Sequence, residues 1–294
     1  MKTNYNIAPL RWIRIMAFLP LTISLLASCD KIEDPYLVQT DISDTTTTTH
    51  VKRVLLEDYT GHLCVNCPGA AITAQNLKEQ YGDKLVVIAV HAGFFATAYS
   101  SGNYTYDFTT PAGTAWDTDF GISAVGNPNG MVNRRKFDNT YVISPSGWTG
   151  AVGMMVSEAP RLDIQVVNTY NPGDRKLNVT VNTQFLETID RNLKLIVAIT
   201  EDSIVAPQKN IDPLAGDTPE IIDYVHMHAL RGTITNTWGT AIAAFGTVNP
   251  ASISNSFVYT LADNWIPANC RVVAFVYDVD TKEVLQAAEK KVVN

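Results

Sequence analysis

The stretch LLEDYTGHLCVNCPGA, residues 55–70, sets two cysteines three apart between an apolar run and a helix-like pattern. Upstream, VKRVLLEDYT (51–60) is dense in aliphatic and β-branched residues and predicts a strand. Downstream, AAITAQNLKEQYG (70–82) spaces Ala71, Ala74, Leu77 and Tyr81 at helical intervals, with Gly82 as a stop. KLVVIAVHA (84–92) is a continuous apolar run, as in a strand buried on both faces. Strand, helix, strand at this spacing makes a βαβ unit with a parallel pair.

The pair Cys64 and Cys67 has three chemical readings. In the first, the helix begins directly after Cys64. Unpaired backbone N–H groups and the helix dipole then favour an anion at that cysteine. Its thiol pKa falls, Cys64 becomes the nucleophile, and Cys67 one turn later resolves a mixed disulfide. Pro68 suits a first helical turn. In the second reading the pair is a structural disulfide, although so short a loop constrains little of the unfolded chain. In the third, His62, Cys64 and Cys67 are metal ligands, with no obvious fourth nearby. A c-type haem needs His after the second cysteine, where this chain has Pro68. No cofactor and no metal are expected.

Residues 92–113, AGFFATAYSSGNYTYDFTTPAG, form a long loop carrying Phe94, Phe95, Tyr99, Tyr104, Tyr106 and Phe108. A loop of this kind is either functional or packed over a neighbour. TAWDTDFGI predicts a short helix, GMVNRRKF a hairpin strand, and WTGAVGMMVSEAP a last helix ending at Pro160. Beyond Pro160 the period changes to two. RLDIQVVNTY, KLNVTVNTQF, NLKLIVAITED, NSFVYTLAD, CRVVAFVYDVD and EVLQAAEKKVV are separated by turn signals such as NPGD. Many short alternating strands without helices predict a β-sandwich.

The βαβ unit with its C-x-x-C resembles the thioredoxin fold. On that resemblance Asp58, six residues before Cys64, is the buried carboxylate that relays a proton to the resolving cysteine. Pro128, in GISAVGNPNGMVNRR, falls where the fold places a cis-proline facing the disulfide. Asn-Pro-Asn-Gly is equally a plain turn signal, so a trans proline in a hairpin stays open. Thioredoxins carry Gly-Pro between the cysteines; this chain carries Val65-Asn66. The longer strings LLEDYTGHLCVNCP, NPNGMVNR and YVHMHALRG resemble Bacteroidetes outer-membrane lipoproteins named after a twenty-eight-kilodalton outer-membrane protein. That family implies a thioredoxin-like domain, here residues 51–160, followed by an immunoglobulin-like sandwich, residues 161–294.

The N-terminus fits such a protein. Lys2, Arg11 and Arg14 precede a short apolar run, Ile15 to Ala27, that ends in Leu26-Ala27-Ser28-Cys29. This reads as a signal peptide over 1–28 closed by a lipobox-like motif, with Cys29 as the acylated residue. Residues 29–50 are polar and Thr-rich, a tether with almost nothing to bury. Without 1–28 the chain carries 19 Lys and Arg against 29 Asp and Glu, a net charge of −10. That balance argues against nucleic acid and against electrostatic membrane binding. The expected partners are protein thiols or disulfides of the envelope, and the membrane through the acyl anchor.

Two functions follow as expectations: thiol-disulfide exchange, or a non-catalytic surface binding or adhesion role. Among other candidates, His226-x-His228 on a strand would put both imidazoles on one face, as half a metal site or as hydrogen-bonding residues of the sandwich. His62 either stabilises the Cys64 thiolate or is a solvated turn residue. His91 reads as structural, and Cys270 as a buried small hydrophobe.

Overall fold

A computed structural model describes residues 50–246 and 251–293. Cys29, the signal-like segment 1–28 and the tether up to residue 49 lie outside the described residues.

Strand β1 (Val54–Thr60) is buried along its whole length. It pairs in parallel with β2 (Leu85–His91) and antiparallel with β3 (Asn129–Val132). Helix α1 (Cys67–Tyr81) crosses between β1 and β2, and Gly82 ends it with φ 55°. Helix α2 (Pro111–Phe120) starts on a proline capped by Thr110, whose Oγ1 accepts the Gly113 N–H at 2.9 Å. Helix α3 is Pro145–Val156. The strand expected in GMVNRRKF stops at Val132, because Asn133 and Arg134 both take positive φ, 49°.

After α3 come β4 (Leu162–Asn171), β5 (Lys176–Phe185) and β6 (Leu193–Glu201). Four two-residue strands follow: β7 (Ile204–Val205), β8 (Gln208–Lys209), β9 (Glu220–Ile221) and β10 (Val225–His226). The chain ends with β11 (Ala229–Thr233), β12 (Thr240–Ala243), β13 (Ser252–Thr260), β14 (Cys270–Asp278) and β15 (Val284–Lys291).

These strands build a mixed eight-stranded sheet of order β15-β14-β6-β11-β2-β1-β3, with β12 also on β6. The sheet draws strands from both sides of Pro160. Short β11 is the join: Ala229 pairs in parallel with Ala89 of β2, and β11 runs antiparallel to β6. A second, all-antiparallel sheet has the order β13-β5-β4.

Alternation along each strand separates two faces of the large sheet. On one face Leu55, Tyr59, Val86 and Ile88 join Ile196, Val273 and Phe275 in one core under α2, whose Ala112, Trp116 and Phe120 cover it. The opposite face is covered twice. Val54, Leu56, Leu85 and Val87 pack under α1 and α3, through Ala74, Leu77, Trp148 and Val152. Leu195, Val197, Val272 and Ala274 pack against Leu162, Ile164, Leu177 and Val179 of the three-stranded sheet. β6 and β14, expected as alternating strands, are instead buried on both faces, in keeping with their near-continuous apolar runs. Among the described residues no helix is long and apolar enough to cross a membrane.

Candidate functional site

Cys64 and Cys67 are joined in a disulfide with Cα atoms 5.4 Å apart. The helix does not begin where the spacing predicts. The Cys64 N–H donates to Gly61 O (3.0 Å) and the Cys67 N–H to Cys64 O (3.3 Å), so Cys64 lies in the turn ahead of the helix. Asn66 is the capping residue and Cys67 the first helical one. The helix dipole therefore acts at Cys67, not at Cys64 alone. Gly61 admits the turn because a Cβ there would lie 2.4 Å from the Phe95 backbone, whose carbonyl accepts the Leu63 N–H at 3.0 Å.

Both cysteines are only 2% exposed. A segment from the second half of the chain lies across them. The Lys209 N–H donates to His62 O (2.8 Å) and the Ile211 N–H to Val65 O (3.0 Å). Gln208 Nε2 donates to Cys64 O (2.9 Å) and Gly61 O (3.3 Å). The Tyr104 hydroxyl ties the same segment to the aromatic loop, donating to Glu220 at 2.7 Å. Residues 204–228 thus form a strap over the C-x-x-C turn, and the strap includes a cis Thr218–Pro219 bond.

Asp58 sits on β1 opposite Ala89 and Gly130, on the face shared with α1. It is buried, and its Oδ1 has no hydrogen-bond partner. Burial pushes its carboxyl up to about 7. A cavity of ≈ 320 Å³ joins it to Cys67, under Ala71, Ile72, Ala74 and Gln75 of α1. Val87, Ala89 and His91 form its floor, and Tyr224 to His228 of the strap form its far wall.

The Asn127–Pro128 bond is cis. Asn127 Nδ2 donates to Thr60 O and Ala92 O, each at 3.2 Å, which fastens this loop to the ends of β1 and β2. Since Tyr59 pairs with Asn129, Pro128 flanks the end of β1 just ahead of the cysteine turn.

The histidines differ from their expected places. His62 is buried rather than solvated, and its Nε2 lies 2.9 Å from Thr97 O. Burial lowers its pKa. His226 and His228 do not share a strand face: β10 ends at His226, and His228 takes φ 55°. Both line the cavity instead of the sandwich, with His226 Nε2 3.2 Å from Ala206 O. His91 stacks on Phe108 at 4.4 Å, and Phe108 meets His226 at 4.4 Å. The aromatic loop thus packs over its neighbours, with Phe108 as hub. Among the described residues no group of three or more His, Cys, Asp or Glu could hold a metal ion. Cys270 is free and buried, as expected.

Residues 114–294 match the family described as Outer membrane protein Omp28, a stretch that begins after the cysteines. HBP35 of Porphyromonas gingivalis is similar in structure, at 20% identity and TM-score 0.60, covering 82% of this chain and 76% of that one. Protein AGR_C_4864 from Agrobacterium tumefaciens shares 12% identity at TM-score 0.50, covering 82% of this chain and 95% of that one. A domain of the outer membrane lipoprotein Omp28 from Porphyromonas gingivalis matches at 22% identity and TM-score 0.31, over 45% of this chain and 88% of that one. No curated protein matches the chain.

Proposed function

Because the chain belongs to the Omp28 family of outer membrane proteins, we propose that it is an envelope lipoprotein, anchored by an acylated Cys29, whose Cys64–Cys67 pair exchanges thiols and disulfides. The reading takes residues 51–160 as a thioredoxin-like unit and 161–294 as an immunoglobulin-like sandwich, with β11 joining their strands into one sheet. The observation that carries it is the unpartnered Asp58 carboxyl oxygen, buried on the same cavity as Cys67. A lone buried carboxyl with a pKa near neutrality can accept and return a proton as the disulfide opens and closes. Here Cys64 and Cys67 cycle between dithiol and disulfide, Asp58 moves the proton, and Pro128 flanks the approach to Cys64.

The test is the pH dependence of model-disulfide turnover by the reduced protein, with and without Asp58→Asn. The variant should be slower near pH 7 and lose the inflection there. Superimposable profiles would count against proton transfer by Asp58. Burial of both cysteines under the strap favours a second reading, a non-catalytic surface lipoprotein with a structural disulfide. A pair that no thiol reduces without denaturant would establish that reading. For the anchor, Cys29→Ala should leave an unprocessed or unanchored precursor in detergent partitioning.

A further inference from the structure

We propose that the cavity under α1 is the binding site of a small apolar thiol, which reaches the disulfide from inside and meets Cys67 first; this rests on the exchange reading above. Three observations converge. The outer approach to the C-x-x-C turn is held shut by the backbone bonds of Lys209 and Ile211 to His62 and Val65. Cys67 lines the cavity and Cys64 does not. The cavity also opens outward, since Ile72, Val225 and Met227 on its lining are 38%, 47% and 40% exposed.

The lining sets the ligand class. Ala71, Ile72, Ala74, Val87, Ala89 and Met227 offer an apolar body nothing to hydrogen-bond, and ≈ 320 Å³ admits a small ring or chain but not a folded polypeptide. Among the lining groups, Asp58 Oδ1 and both ring nitrogens of His91 are buried without a hydrogen-bond partner, and each can take up a proton, so the reacting end of the ligand is one that gives up a proton. A thiol does this. Its proton passes to the Asp58 carboxylate and its sulfur attacks Cys67 Sγ. The Cys64–Cys67 bond breaks, and its electron pair leaves on Cys64 Sγ, which takes the proton back from Asp58. A second thiol then attacks the ligand sulfur, releases the symmetrical disulfide and frees Cys67 as a thiol. Two ligand thiols are oxidised and one protein disulfide is reduced.

The test uses the mature oxidised protein and two reductants, benzyl mercaptan and a reduced two-cysteine protein. Benzyl mercaptan should reduce the pair faster, and acid-quenched peptide mapping should find the benzyl adduct on Cys67. Ala71→Phe and Val225→Trp fill the cavity from opposite walls, and each should slow benzyl mercaptan about tenfold without changing the rate with the protein dithiol. Ile211→Pro removes one strap bond outside the cavity and should speed only the protein dithiol. An adduct on Cys64 would overturn the proposal. So would filling variants that react with benzyl mercaptan like wild type while Ile211→Pro speeds both reductants. If neither reductant opens the disulfide, the exchange reading itself fails.

Discussion

Arg134 holds Glu57 by two parallel hydrogen bonds, Nε to Oε2 at 2.8 Å and Nη2 to Oε1 at 2.7 Å, and both side chains are fully buried. The guanidinium is enclosed by Trp116, Phe120, Phe275 and Tyr277, with its carbon 4.9 to 5.9 Å from their ring centres. The pair thus ties β1 to α2 and to β14, from opposite halves of the chain. Breaking one partner strands the other's charge in the core. Arg134→Met should therefore cost ~3–5 kcal/mol of unfolding free energy. The double variant with Glu57→Leu should recover part of that loss, since no uncompensated charge remains. Denaturant unfolding of the three proteins checks both statements; equal stability of the single and double variants would contradict them.

Asp58 makes stability depend on pH. Its folded pKa, raised by burial to about 7, lies above the ordinary 3.8. Between those values the folded state holds a proton that the unfolded state has lost, so this residue's contribution falls as pH rises across that window. The full difference is ~4 kcal/mol. Asp58→Asn should thus be more stable than wild type above pH 7, with the gain shrinking towards pH 4. Denaturation midpoints at pH 4, 6 and 8 measure it, and a constant offset between the two proteins would contradict the sign argued here.

His226 acts in the opposite direction. Burial holds its pKa at about 4, below the ordinary 6.5. Below pH 6.5 the unfolded chain gains a proton that the folded chain excludes, so stability falls as pH drops towards 4, by ~3 kcal/mol. His226→Phe should flatten that acid limb. The readout is the slope of stability against pH between 4 and 6.5, which a merely structural loss would leave unchanged.

Cys270 should be chemically silent. Burial, with Glu201 nearby, pushes its thiol up to about 12, and the thiolate is the reactive form. A thiol reagent at pH 8 should leave Cys270 unmodified in the native oxidised protein and label it once denaturant is added. Labelling of Cys270 in the native state would contradict this.

Local pattern was enough to place much of this molecule. The helical spacing of Ala74 and Leu77, the alternation of Leu162, Ile164 and Val166, and the apolar run Leu85 to His91 each appear as the elements they predict. The closeness of Cys64 and Cys67 is likewise a matter of three residues of chain. Asp58 was singled out by the resemblance to the thioredoxin fold, through its place six residues before Cys64. The helix starts two residues later than the spacing predicts, because the turn bonds at Gly61 and Cys64 compete with the helix for the same backbone groups.

Sequence by itself determined the longer strands and helices, since their apolar spacing along the chain marks them, but not the short strands β7–β12, which carry too few residues to show a period. Only the tertiary structure decided what the faces of these elements meet. β6 and β14 are apolar on both sides, and nothing in their periodicity says that one side faces α2 and the other the three-stranded sheet. The strap over Cys64 and Cys67 is held in part by backbone bonds from Lys209 and Ile211, and such bonds leave no mark on side-chain choice. His91 and His226 stand 135 positions apart, and Arg134 and Glu57 stand 77 apart. Short β11, one residue of which pairs with β2, brings the first separation together. Both meetings depend on long-range packing, which local periodicity does not encode.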